Sequence, residues 1–128
     1  MIAGVKVRKL RLIPDERGFL LETWILHELR AAMSLQSTGG ELSYWRTPSG
    51  SEVDFVWTRG DRSVAIEVKA GEKWQRNQGR ALNELVSAGR VLRCFGVYRG
   101  TQTLKLGDVL VLPCIEFLAK LHAGEVLG

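Results

Sequence analysis

The sequence predicts an α/β fold in which helices flank a central mixed sheet. One observation is an apolar stripe of helical period that precedes three short strand-like runs. A second is another helical pattern followed by one strongly apolar strand. A third is the short connection at 59–62, which lets two of the strands form a hairpin. In order, the expected elements are helix 16–33, strands 41–46, 51–58 and 63–70, helix 72–88 and strand 91–98.

This order sets the expected topology. Three consecutive strands with short connections should form an antiparallel meander, and the strand after the second helix can join in parallel through a crossover. Residues 104–106 are expected to pair back as an edge strand, 109–112 form a short apolar run, and a last helix runs from Pro113 to about His122. Residues 5–13 alternate loosely and are rich in cations, so either an edge strand or a basic arm is expected there.

The first helix carries an acid on its apolar side. At about 100° per residue, Glu22 falls near the middle of the apolar arc. A carboxylate there is unfavourable unless it is paired, protonated or bound to a metal, so Glu22 is a candidate site residue. The alternative is a glutamate at the core edge that meets Arg46 or a backbone amide. The arc consists of Phe19, Leu21, Ile25, Leu26, Leu29, Ala32 and Met33.

The second helix is expected to end at Gly89, because glycine is common just after helix C-termini. Gln78 interrupts the apolar stripe of this helix and is therefore expected to face inward. The stripe consists of Trp74, Ala81, Leu85 and Ala88.

Length and composition predict a single domain over residues 1–128. The 45% of hydrophobic residues is enough for a modest core. No run approaches the roughly 20 apolar residues of a membrane span, and no signal peptide is evident, so a cytoplasmic protein without a membrane partner is expected. Cys94 and Cys114 form no CxxC pair, which favours buried, reduced thiols over a zinc site.

Two neighbouring predicted strands carry two acids and a lysine. Glu67 and Lys69 are two residues apart, so they project from the same face of their strand. The hairpin lets Asp54 stand beside Glu67, with Lys69 one step along. Such a set suits a divalent cation and a phosphate. The alternatives are an ion pair of Glu67 and Lys69 on a solvated face, and a surface aspartate near a turn for Asp54.

An excess of basic residues suits a polyanionic partner. Lysine and arginine number 18 against 14 acids, and the formal net charge is +4. Five cations lie near the predicted site along the chain and are candidates for contact with the DNA backbone, with an ordinary solvated surface as the alternative. They are Arg46, Arg59, Arg62, Lys73 and Arg76.

Four segments extend this pattern: Gly18-Phe19-Leu20-Leu21-Glu22, Tyr44-Trp45-Arg46-Thr47, Gly50-Ser51-Glu52-Val53-Asp54-Phe55 and Ile66-Glu67-Val68-Lys69. The order of helix glutamate, aspartate and Glu-x-Lys resembles the PD-(D/E)xK, or restriction-endonuclease-like, superfamily, with Val53-Asp54 in place of Pro-Asp. The segments are similar in particular to the nuclease-like C-terminal domains of uncharacterised bacterial and archaeal AAA+ ATPases. The resemblance covers roughly residues 16–112.

The resemblance implies a restriction-endonuclease-like αβββαβ core with a site for Mg²⁺ or Mn²⁺. Asp54 and Glu67 would supply carboxylates, the Val68 carbonyl a third oxygen, and Glu22 a direct or water-mediated ligand. Lys69 would hold the attacking water and stabilise charge on phosphorus, so the expected catalytic residues are Lys69, Glu67, Asp54 and Glu22. The expected function is metal-dependent hydrolysis of DNA phosphodiester bonds.

Two functions other than hydrolysis are also considered. The superfamily contains inactive members, so the main alternative is a noncatalytic nuclease-like module that binds DNA or docks a partner associated with an AAA+ ATPase. A weaker alternative is a structural interaction domain whose acids form ion pairs. The chain has no GxxxxGK[ST] motif and offers no phosphate-binding loop for ATP. Small nucleases of this shape often pair to cut two strands, so a homodimer is also considered.

Overall fold

The computed structural model describes residues 5–6, 16–46, 52–75, 77–89 and 93–128. Three helices are described: α1 (Glu16–Gln36), α2 (Arg80–Ser87) and α3 (Cys114–His122). The strands are β1 (Val5–Lys6), β2 (Glu41–Arg46), β3 (Glu52–Arg59), β4 (Arg62–Val68), β5 (Arg93–Tyr98), β6 (Leu104–Leu106) and β7 (Val109–Pro113).

The strands form one mixed sheet in the order β1-β2-β3-β4-β5-β7-β6. β2, β3 and β4 are an antiparallel meander, and β5 joins β4 in parallel after the crossover through α2. β7 pairs in parallel with β5, and β6 pairs back antiparallel with β7. The predicted α/β class, the meander, the parallel crossover and the late edge strand are confirmed. Of the strand or arm expected at 5–13, Val5–Lys6 pair with β2, and the rest lies outside the described residues.

α1 and α3 cover one face of the sheet. The buried stripe of α1 packs into a core shared with β3, β4 and β5. Leu26 and Met33 are only partly buried beside this core, so the stripe is centred away from them. Glu22 therefore lies on the partly buried flank of the stripe, and its predicted position near the middle is wrong. The buried residues of α1 are Leu21, Ile25, Leu29 and Ala32.

α2 covers the other face and is much shorter than predicted. The helix begins at Arg80, and the described part of 72–79 is a bend followed by turns. The prediction of a helix from residue 72 is therefore wrong. The predicted inward residues Ala81 and Leu85 are buried, whereas Ala88 is exposed.

Contacts of Trp74 and Gln78 explain why this segment is a loop. The Trp74 indole lies against Gly96 of β5 and meets the Tyr98 ring edge-on, with 6.2 Å between ring centroids. The Gln75 N–H donates to the Gln78 side-chain oxygen at 2.7 Å. Gln78 thus closes a local turn, and the prediction that it faces the core is wrong. Helical period alone could not reveal the Trp74 contacts, because they depend on the neighbouring strand β5.

Residues 125–128 pack back on the α1–α3 side. Val126 and Leu127 are buried in the same core as α1. The Arg93 guanidinium donates to the carbonyls of Glu125, at 2.9 Å, and Val126, at 2.6 Å. Arg62 donates to the Gly128 carbonyl at 3.0 Å. Two arginines from neighbouring strands therefore hold this segment against the sheet.

Candidate functional site

The β3–β4 hairpin places Asp54 beside Glu67. Its register runs from Arg59 opposite Arg62 to Phe55 opposite Ile66, and one further step puts Asp54 opposite Glu67. At this position the two strands are joined by hydrogen bonds from backbone N–H groups to side-chain carboxylates instead of backbone carbonyls. The Asp54 N–H donates to Glu67 Oε1 at 3.2 Å, and the Val68 N–H donates to Asp54 Oδ2 at 2.7 Å. The two acids are therefore fixed to each other's strands.

Lys69 completes this group from the end of β4. Its Nζ lies 2.9 Å from Glu67 Oε2. Glu67 is only 5% exposed, so the ion pair is not the solvated surface pair considered as an alternative. The Lys69 N–H donates to the Val97 carbonyl at 2.8 Å, which fixes the lysine backbone to β5. The lysine is thus held from both its side chain and its main chain.

Glu22 reaches the group from α1. It lies close enough to Asp54 that its charge and side-chain hydrogen bonding both raise the pKa of Asp54. The structure thus brings together all four predicted side chains, Glu22, Asp54, Glu67 and Lys69. The roles assigned to them stay predictions.

Asp54, Glu67 and Lys69 are ionisable groups that lie close together and are partly or fully removed from water. Burial, followed by the charges of Glu67 and Glu22, raises the pKa of Asp54 well above its usual range. Burial also raises the pKa of Glu67, against the opposing effect of Lys69. Burial favours a lower pKa for Lys69, but the surrounding carboxylates outweigh it and hold this pKa above its usual value. Lys69 is therefore charged at neutral pH.

Trp74 packs on the strand that neighbours Glu67. In the β4–β5 register Glu67 stands opposite Gly96, and the Trp74 indole fills the space where a side chain at position 96 would lie. A Cβ at Gly96 would come within 2.6 Å of the indole. Glycine at this position therefore lets the aromatic ring approach the strand next to the acid.

The donor chemistry fits a hard divalent cation. Three carboxyls against one ammonium would leave a formal charge of −2 if all were ionised, which a divalent cation would neutralise. In the present arrangement the carboxylate oxygens are engaged by Lys69 and by the backbone amides of Asp54 and Val68. Among the described residues no three His, Cys, Asp or Glu side chains are arranged to hold a metal ion as they stand. Binding would therefore require these carboxylates to exchange present partners for the metal.

The predicted basic residues are divided between the two ends of the hairpin. Arg59 and Arg62 flank the turn, and Arg62 is five residues from Glu67, or about 17 Å along an extended strand. Arg59 and Arg62 are close to the site in sequence but lie away from it in space, because a hairpin carries the chain to its opposite end. Lys73 is exposed on the loop that follows Lys69. Arg76 and the side chain of Arg46 lie outside the described residues.

Arg99 is a further cation near the site that the sequence analysis does not include. This exposed residue follows β5, and its N–H donates to the Gly71 carbonyl at 3.0 Å. Its Nη1 lies 3.5 Å from the Ala70 carbonyl, a weak contact. The predicted parallel crossover contained the signal, because neighbouring parallel strands bring their C-terminal ends to one edge of the sheet.

The remaining sequence expectations concern thiols and membranes. Both cysteines are free and buried, as expected, and burial followed by the charge of Asp108 raises the pKa of the Cys94 thiol to about 12. Across the described residues, no helix combines the length and apolar character of a membrane span.

Comparison with known proteins identifies a family. A family model described as a domain of unknown function, DUF4143, matches residues 17–117, which is more than half of the chain. No curated protein matches the chain. Domains of this family are known to occur with AAA ATPases, in agreement with the predicted relation to ATPase-linked domains. The chain therefore belongs to the DUF4143 family.

Proposed function

We propose that this domain hydrolyses phosphodiester bonds in DNA with the help of Mg²⁺ or Mn²⁺. The observation that carries the proposal is the meeting of Glu22, Asp54 and Glu67 around Lys69 at one end of the β3–β4 hairpin. Clusters of buried acids are unfavourable for stability, and perturbed pKa values are typical of functional sites. The overall basic charge of the chain suits a polyanionic substrate.

The residues that would hold the cation are Asp54 and Glu67, with the Val68 carbonyl and Glu22. When bound, the cation would polarise a phosphoryl oxygen and lower the pKa of a water molecule. The carboxylates would orient it, and their negative charge would favour its binding over that of an anion.

Lys69 would act on the phosphate itself. It is charged at neutral pH and fixed by Glu67 and by the backbone of Val97. A fixed ammonium can stabilise negative charge that develops on phosphorus without having to reorganise first. It can also hold the attacking water by a hydrogen bond. The half-buried position of Lys69 leaves its side chain accessible to a substrate.

A plasmid-nicking assay tests this proposal. Supercoiled DNA incubated with the protein and Mg²⁺ or Mn²⁺ should be nicked, and EDTA should abolish the nicking. Lys69→Ala should lower the rate about 10²- to 10³-fold, the usual loss for one charge-stabilising group. Lys105→Ala removes an exposed lysine from the edge strand β6 and serves as the matched control. Lack of nicking by folded wild-type protein with either metal would contradict the proposal.

A noncatalytic docking or DNA-binding module is the second candidate. One observation favours it: α1 exposes Leu20, Trp24 and Leu35, at 62%, 43% and 78% of their surfaces, respectively. The known occurrence of the family with AAA ATPases makes such an ATPase the partner to consider. Binding of DNA in a gel-shift assay without nicking, or binding to an ATPase without any effect on DNA, would favour this module.

A further inference from the structure

We propose that the DNA backbone lies across the C-terminal ends of β4 and β5, just beyond Lys69. Arg99 and Lys73 would hold it there. This inference rests on the proposed function, because it assigns the substrate path at the same site. It places the contacts at the C-terminal ends of β4 and β5. The arginines of the hairpin turn, Arg59 and Arg62, lie at the opposite end of the sheet.

Backbone contacts bring Arg99 to the site. Lys69 bonds to Val97 and Gly71 bonds to Arg99, so the chain after β4 continues alongside the end of β5. Adjacent strands are about 4.8 Å apart, which puts the Arg99 backbone one strand away from the residues that follow Lys69. Lys73 lies on the same loop, two residues beyond Gly71.

The position of Arg99 is fixed on both sides. Its own N–H is bonded to Gly71, and the turn that follows is held by Tyr98. The Tyr98 hydroxyl donates to the Gln102 carbonyl at 2.7 Å and accepts from the Gln102 N–H at 3.3 Å. A fixed backbone lowers the entropy lost when the side chain binds a ligand.

Both cations are exposed and lack a carboxylate partner among the described residues. Arg99 contacts a neutral carbonyl with one of its donors, so other donors of its planar guanidinium are available for a phosphate. The acid beside them, Glu72, is exposed and forms no ion pair with either cation in the described structure. The arrangement is typical of contacts that bind phosphates without reading bases.

Fluorescence anisotropy with a short labelled duplex tests the inference. Binding is measured in the presence of Ca²⁺ at salt concentrations between about 50 and 200 mM. In this range each phosphate contact makes the slope of log K against log salt steeper by about 0.9. Arg99→Gln and Lys73→Gln should each weaken binding equally for two unrelated sequences and lower that slope by about 1. Arg59→Gln is the control, because it changes the net charge by the same amount at the other end of the hairpin. It should change neither the DNA affinity nor the slope.

The outcomes separate this inference from the proposed function. Equal effects of Arg59→Gln and Arg99→Gln would overturn the inference, because only net charge would then matter. Wild-type nicking with unchanged DNA binding by Arg99→Gln and Lys73→Gln would also overturn it and leave the nuclease proposal standing. A wild-type protein that neither binds nor nicks DNA would overturn both.

Discussion

The surroundings of Asp54 disfavour its ionisation. It is crowded by Glu67 and Glu22, and the hydrogen bond from the Val68 N–H only partly offsets burial and repulsion. Because its folded pKa is raised, the folded protein retains a proton that the unfolded chain releases above about pH 3.9. The stability from this proton is complete below that pH and is lost as the pH rises through the folded pKa.

This loss of stability with rising pH predicts the effect of Asp54→Asn. Asparagine can keep the bond from Val68 but cannot ionise, so the metal-free variant should gain stability over wild type as the pH rises from about 4 to neutrality. The measurement is the melting temperature of both proteins in EDTA across this range. Asp61→Asn, at an exposed aspartate in the hairpin turn, is the control and should show no such trend. A difference between wild type and Asp54→Asn that does not depend on pH would contradict the raised pKa.

At the scale of elements, the loop after β4 is anchored by one aromatic ring. A Cβ at position 96 would stand 2.6 Å from the Trp74 indole, so Gly96→Ala must displace the ring. We expect a loss of about 1–3 kcal/mol in the free energy of unfolding, the usual cost of overpacking. Urea denaturation measures it. In a Trp74→Ala background the same substitution should cost much less, because the clash is gone. Equal costs in both backgrounds would show that the ring does not constrain position 96.

Elements defined by local pattern were predictable, and those defined by tertiary contact were not. The short 59–62 connection predicted the hairpin, and with it the placement of Asp54 opposite Glu67. The loop before α2 was predicted as helix because apolar residues around Trp74 have helical spacing. The contact of Trp74 with Gly96 joins residues from different elements, so no local pattern could indicate it.

The same distinction applies to the site. Glu67 and Lys69 are two residues apart in sequence, and helical spacing indicates Glu22 because it puts an acid near the middle of the apolar arc. To find Arg99 from the sequence, one must compare the C-terminal ends of two parallel strands, β4 and β5. These strands are separated in sequence by a helix.

At the scale of the whole molecule, the 125–128 segment is part of the main core. Leu127 is 3% exposed, and the segment is held by Arg93 and Arg62. Leu127→Ala should therefore cost about 2–5 kcal/mol, as expected for a buried leucine. Leu35→Ala makes the same chemical change at a residue that is 78% exposed, and it should stay within about 0.5 kcal/mol of wild type. Chemical denaturation compares the two, and equal costs would show that Leu127 does not pack into the core.

The central claim is that Asp54, Glu67 and Glu22 form a site for a divalent cation beside Lys69. Thermal melting with and without millimolar Mg²⁺ at neutral pH tests it most directly. A ligand present at 100 times its dissociation constant stabilises the folded state by about 2.7 kcal/mol. We expect Mg²⁺ to raise the melting temperature of wild-type protein and to leave that of Asp54→Asn nearly unchanged. An unchanged wild-type melting temperature, or an equal rise in the variant, would contradict the claim.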